Sequence, residues 1–139
     1  MKYFFDTNII IDILDKKEDV LDKMEAISLE EDSEILINRL VYVEALRTIH
    51  FKNKKVFREA KLTLDSFEKL DINQNIYDKT VEFSRFCHSK GIKIKGKCEA
   101  IDFLHFMTAK YYSLEIVSND RDMTKLEDAY VKFLDSFKL

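Results

Sequence analysis

The chain contains no proline, and only two glycines in 139 residues. Both glycines, Gly91 and Gly96, bracket the stretch KGIKIKGK, so the strongest breaker signals fall in one loop. Elsewhere the sequence permits helices to run on. Cysteine is equally scarce: Cys87 and Cys98 lack metal-type spacing, and two reduced thiols are the expectation. No run approaches the ~20 apolar residues needed to cross a bilayer. The apolar start is interrupted by Asp6 and Asp12, which does not suit a secretory leader. Nor does one sign of charge dominate. With 35% charged residues the net charge is only −3, which argues against a histone-like grip on nucleic acid over the whole surface. A local basic patch remains possible, because the field at a site depends on distribution. From these features we expect a soluble, cytoplasmic protein with no membrane contact.

What is present is apolar residue in quantity, 46%, enough to fill one core, and we expect residues 1–139 to form a single domain. Short apolar runs alternate with helical patterns. KYFF reads as a buried strand, followed by a helix in TNIIIDILDK with Thr7 or Asn8 near its cap. EILI (34–37) is a second strand, and a helix begins near Asn38. Val56, Ala60, Leu64 and Phe67 form a helical stripe. LDI (70–72) is a weak strand candidate, and a helix runs from about Asn75 to His88. EAIDFLHFMTAKYY is a mostly apolar helix, LEIVS a strand, DRDMTKLED a turn and short helix, and YVKFL a final strand. Such alternation implies an α/β fold: a central parallel sheet of about five strands with helices on both faces. Ligand chemistry in such sheets collects beyond the carboxyl ends of the strands.

Four acids sit inside or beside apolar sequence. Asp6 follows Phe4 and Phe5; Glu44 interrupts LVYVEAL; Asp102 interrupts AIDFLHFM; Asp120 follows EIVS, with Asp122 two residues later. Each has a plain structural explanation. Asp6 and Asp120 can be caps or turn residues, Glu44 can reach solvent, and Asp102 can pair with His105 at i+3. One explanation covers all four, however. A shared hard divalent cation, Mg²⁺ or Mn²⁺, offsets the cost of desolvating carboxylates that otherwise repel each other. His50, His88 and His105 lack zinc-like pairing.

FFDTNIIIDIL, VEAL, AIDFLHFMTAKYY and IVSNDRDM together resemble the four acidic motifs of PIN-domain ribonucleases, and in order and spacing the VapC-type toxins of toxin–antitoxin pairs. The resemblance implies a PIN-like domain in which Asp6, Glu44, Asp102 and Asp120 are the catalytic and metal-binding acids. Asp122 can share or replace the fourth role. Asn8 and Ser118 match small polar residues at the site's edge. Met123 stands where an aromatic is common, and Asn38 where Ser or Thr is common; neither is a ligand position. The implied activity is metal-dependent hydrolysis of phosphodiester bonds in RNA, such as tRNA or another structured RNA. The implied partners are a second copy of the chain and a small antitoxin protein.

An acidic centre repels phosphate, so basic residues should line its rim. Lys90, Lys93, Lys95 and Lys97 crowd the glycine loop just before Asp102. Arg47, Lys52, Lys54 and Lys55 form a second cluster after Glu44, with Arg39 nearby. Tyr42 can stack on a base or pack in the core. Two other readings compete: a PIN nuclease in RNA processing without an antitoxin, and a non-catalytic RNA- or protein-binding PIN module. A phosphotransfer protein fits poorly, because a dehalogenase-like phosphatase needs a second Asp at position 8, which is Asn.

Overall fold

The structure, a computed structural model, describes residues 1–95 and 99–138; Gly96, Lys97 and Cys98 of the glycine loop lie outside the described residues. The chain gathers into two compact units. One comprises Met1–Asp71 and Leu114–Asn119, the other Ile72–Ser113 and Asp120–Leu139.

The first unit is α/β. Its strands are β1 (Lys2–Phe5), β2 (Glu34–Asn38), β3 (Glu68–Leu70) and β4 (Glu115–Val117). They form one sheet in the order β3-β2-β1-β4, and every neighbouring pair is parallel. Among the described residues the sheet has four strands, close to the expected five, and the α/β class holds. β1 is central because Tyr3, Phe4 and Phe5 are all buried, as strands covered on both faces require. The strands run outward from β1 to β3, after which the chain returns to β1's other side as β4. That reversal puts a topological switch point at the carboxyl ends of β1 and β4.

The unit's helices are α1 (Thr7–Leu14), α2 (Glu18–Ser28), α3 (Arg39–Leu46) and α4 (Lys54–Asp65). α1 packs on α2 and α3, and α3 on α4. α1 buries Ile9, Ile10 and Ile13. α4 buries Ala60 and Leu64 of the expected stripe, while Val56 is exposed. Asparagine does much of the capping. Asn38 caps α3 through the Val41 N–H at 2.8 Å, and Asn53 caps α4 through the Val56 N–H at 3.3 Å.

The second unit packs α5 (Gln74–Ser89) against α6 (Glu99–Tyr111) and α7 (Asp122–Asp135). Phe83 is its hub: the rings of Phe103, Phe106, Tyr130 and Phe133 lie 5.3–5.6 Å from it, centroid to centroid. Pairs of this kind contribute about 0.5–1.5 kcal/mol beyond area burial. YVKFL therefore is not a strand. Buried Leu126, Ala129 and Phe133 recur at three- and four-residue spacing, so residues 130–134 continue α7. A second correction concerns LDI, since β3 lies two residues earlier, at Glu68–Leu70.

Candidate active site

Asp6 is the first residue beyond β1 and the N-cap of α1, one position before the residues expected to cap it. Its backbone N–H donates to the Val117 carbonyl at 3.1 Å, which continues the β1–β4 ladder by one rung. The side chain is 5% exposed. Oδ1 accepts the Thr7 N–H at 2.8 Å, and Oδ2 accepts the Ser118 hydroxyl at 3.0 Å. Both donors are neutral, and among the described residues no lysine, arginine or histidine pairs with this carboxylate. Among the described residues this buried carboxylate therefore has no cationic counter-ion to offset its desolvation.

Glu44 joins Asp6 through one intermediate. The Thr7 hydroxyl donates to Glu44 Oε1 at 2.7 Å, so successive residues 6 and 7 link the end of β1 to the last turn of α3. Thr7 was not among the expected site residues; its position between Asp6 and Asn8 in DTN was the available signal. Asn8 is exposed on the first turn of α1. Beside the site the Asn119 amide donates to Asp12 Oδ2 at 2.8 Å, and Lys17 pairs with Asp12.

Asp102, Asp120 and Asp122 belong to the second unit. Asp102 lies half-buried in the first turn of α6. Asp120 accepts the Asp122 N–H at 2.9 Å. Asp122 is buried, and its two oxygens are engaged: Oδ2 accepts the Lys95 N–H at 2.6 Å, and Oδ1 faces the Lys125 ammonium at 3.5 Å. Lys125 also donates to the Lys93 carbonyl at 2.9 Å. Asp122 and Lys125 thus tether the basic segment 93–95 to α7. His105 is buried. Met123 is buried on the same turn, as a packing residue would be. Among the described residues no three His, Cys, Asp or Glu side chains are grouped as a metal's donor set.

The basic candidates divide. Lys93 and Lys95 are exposed, and Lys97 lies outside the described residues. Arg39 is exposed and paired with Asp71, so part of its charge is spent locally. Arg47 is exposed at the C-cap of α3. Tyr42 is half-buried beneath the Lys69 ammonium, 5.5 Å from the ring centroid, which favours its packing role.

A sequence model of the PIN domain matches residues 3–129. The chain belongs to the PIN-domain family. A crystal structure of VapBC2 from Rickettsia felis, bound to a DNA fragment from its promoter, is similar with a TM-score of 0.76 and 19% identity, over 91% of this chain and 93% of that one. This similarity is one of fold. No curated protein shows a significant sequence match. PIN domains are generally nucleases. Among the described residues no helix is long and apolar enough to cross a membrane.

The residues present suit the divalent metal typical of the family. Asp6 is an oxygen donor, buried, oriented by two neutral hydrogen bonds and, among the described residues, without a cationic side-chain partner. Hard cations select oxygen ligands of this kind.

Proposed function

We propose that this PIN domain is a divalent-metal-dependent endoribonuclease, the toxin of a VapBC-like pair. The observation that carries the reading is Asp6, a buried carboxylate at the β1–β4 switch point whose partners are neutral donors. In this reading Asp6, Glu44, Asp102 and Asp120 hold Mg²⁺ or Mn²⁺, and the two units act as one domain over residues 1–139. A divalent cation, when bound, supplies Lewis-acid activation of water and stabilisation of charge on the phosphodiester. Ser118 and Thr7 fix the Asp6 carboxylate, and Thr7 holds Glu44 beside it to orient the attacking water. Asp122, tied to segment 93–95, positions Lys93 and Lys95 against the RNA backbone rather than serving as the fourth acid.

The substrate would be tRNA or another structured RNA. The chain would form a homodimer in the cytoplasm and be inhibited by a small antitoxin, for which the similarity to VapBC2 is the support. The deciding experiment incubates total cellular RNA with wild type and Asp6→Asn, with Mg²⁺ or Mn²⁺ and then with chelator, and sequences the fragments. Metal-dependent cutting by wild type alone is expected. Wild-type rates from Asp6→Asn would end the assignment. Co-purification with the product of an adjacent small reading frame tests the antitoxin.

A further inference from the structure

Residues 47–61 carry six lysines and arginines against one acid, Glu59. This segment is +5 in a chain whose total is −3, so the remainder carries −8. It covers the C-cap of α3, the following turn and most of α4. Among the described residues none of Arg47, Lys52, Lys54, Lys55 or Arg58 is in an ion pair. Lys61 alone is engaged, by Asp65 at 2.9 Å.

Two aromatic rings stand among these charges. Phe51 is 93% exposed, the most exposed large apolar side chain described, and Phe57 is 42% exposed. With His50, Lys54, Arg58 and Lys61 they line an open cavity of about 420 Å³. Leaving a phenylalanine ring in water forgoes the stabilisation its burial would bring. The turn that carries it is nevertheless built: His50 Nδ1 accepts the Lys52 N–H at 3.1 Å, and the Asn53 N–H donates to the His50 carbonyl at 2.9 Å.

We propose that the turn after α3 and the first turns of α4 form a stacking platform for single-stranded RNA, with Phe51 and Phe57 receiving bases and Arg47, Lys54 and Arg58 receiving phosphates. This rests on the ribonuclease reading for the ligand's identity, and it adds a binding surface distinct from the acids. Exposed aromatics interleaved with unpaired cations are the pattern by which proteins hold single strands without fixing sequence. The alternatives fit less well. A second copy seated face to face would bring +5 against +5. A partner helix needs a long apolar groove, whereas this cavity is short and its rim is basic. Arg47 lies three residues after Glu44, on the same side of α3, so a strand on the platform leads toward that acid.

The test is fluorescence anisotropy of a labelled mixed-sequence 12-nucleotide RNA with the full chain, in chelator so that the RNA is not cut. Phe51→Ala should weaken binding about 5- to 150-fold, the range for one lost base stack, and Phe51→Trp should restore it. Lys54→Gln with Arg58→Gln should lower the log–log salt slope by about 1.4. Unchanged affinity in Phe51→Ala overturns the proposal. So does full binding by Phe51→Leu, which keeps the apolar bulk without the π face. A Phe51→Ala variant that loses dimerisation or binding of an acidic peptide, while holding RNA as before, assigns the surface to a protein instead. The two readings fail separately: no metal-dependent cutting with Phe51-dependent binding intact sinks the acid site, and the reverse sinks the platform.

Discussion

The Ser118 hydroxyl donates to Asp6 Oδ2 at 3.0 Å, joining residues 112 apart in sequence at the carboxyl ends of adjacent parallel strands. The register makes this contact. Phe5 faces Val117, so the next residue of each strand, Asp6 and Ser118, meets just past the sheet edge. One side chain carries the charge and the other aims it.

Ser118→Ala should therefore weaken the site without dismantling it. Losing a hydrogen bond that orients a metal ligand typically costs 10- to 100-fold in metal affinity or activity. The concentration of Mn²⁺ giving half-maximal cleavage should rise by about tenfold or more, with the cleavage rate largely recovered at saturating metal. A half-maximal concentration equal to wild type would show that Ser118 does not position Asp6.

Asp6 has two separable roles, as the N-cap of α1 and as a charge. Asparagine caps as well as aspartate does, whereas alanine forfeits about 0.5–2 kcal/mol. Asp6→Asn should abolish cutting and melt within a degree or two of wild type; Asp6→Ala should abolish cutting and melt several degrees lower. Equal melting temperatures for the two variants would deny the cap its role.

Asp122→Ala leaves the Lys95 N–H and Lys125 without their shared acceptor. The loss of a buried acceptor costs on the order of 1–3 kcal/mol. Trypsin should cut after Lys93 or Lys95 markedly faster in this variant, and RNA affinity should fall more than metal affinity. If metal affinity collapses while the tryptic pattern stays constant, Asp122 is a ligand and not a tether.

Cys87 is fully buried, and burial, followed by the Glu99 charge, pushes its thiol from 9.0 to about 11. The folded chain keeps this proton over a range in which the unfolded chain releases it. The resulting stability is complete below about pH 9 and is lost as pH rises toward 11. The stability gap between wild type and Cys87→Ala should accordingly narrow between those values in urea titrations. In a Cys98→Ser background, alkylation at pH 8 should be slow and accelerate on unfolding. Fast native alkylation would mean that the thiol is open to solvent.

Much of this was legible because charge inside apolar sequence is rare. Asp6 and Glu44 stood out for that reason, and the structure links them through Thr7. β1, β2 and β4 were readable as short, mostly apolar runs, whereas β3 is three residues, Glu68, Lys69 and Leu70, with no apolar run to mark it. YVKFL misled because a β-rich composition masks a helical spacing that becomes visible only when Leu126 and Ala129 are included. The tether from Asp122 to Lys95 was hidden for another reason. It is a contact to backbone across 27 residues, and side-chain pattern carries no signal for that.

The scarcity of glycine also hid where helices stop. Among the described residues, three without the freedom of glycine adopt left-handed backbone: Lys16 at φ 57°, Asp32 at 59° and Ser113 at 57°. Lys16 ends the turn after α1, where its N–H donates to the Ile13 carbonyl at 3.0 Å. The left-handed region costs an L-residue roughly 1–2 kcal/mol, and glycine avoids that cost while giving up part of the gain as unfolded-chain entropy. Lys16→Gly should thus stabilise the fold by about 0.5–1 kcal/mol, seen as a rise of about 2–5 °C in melting temperature. Lys16→Ala, which keeps the Cβ, should gain nothing. A gain shared by both variants would trace the effect to charge, since Lys16 stands beside Lys17, and would remove backbone strain as its cause.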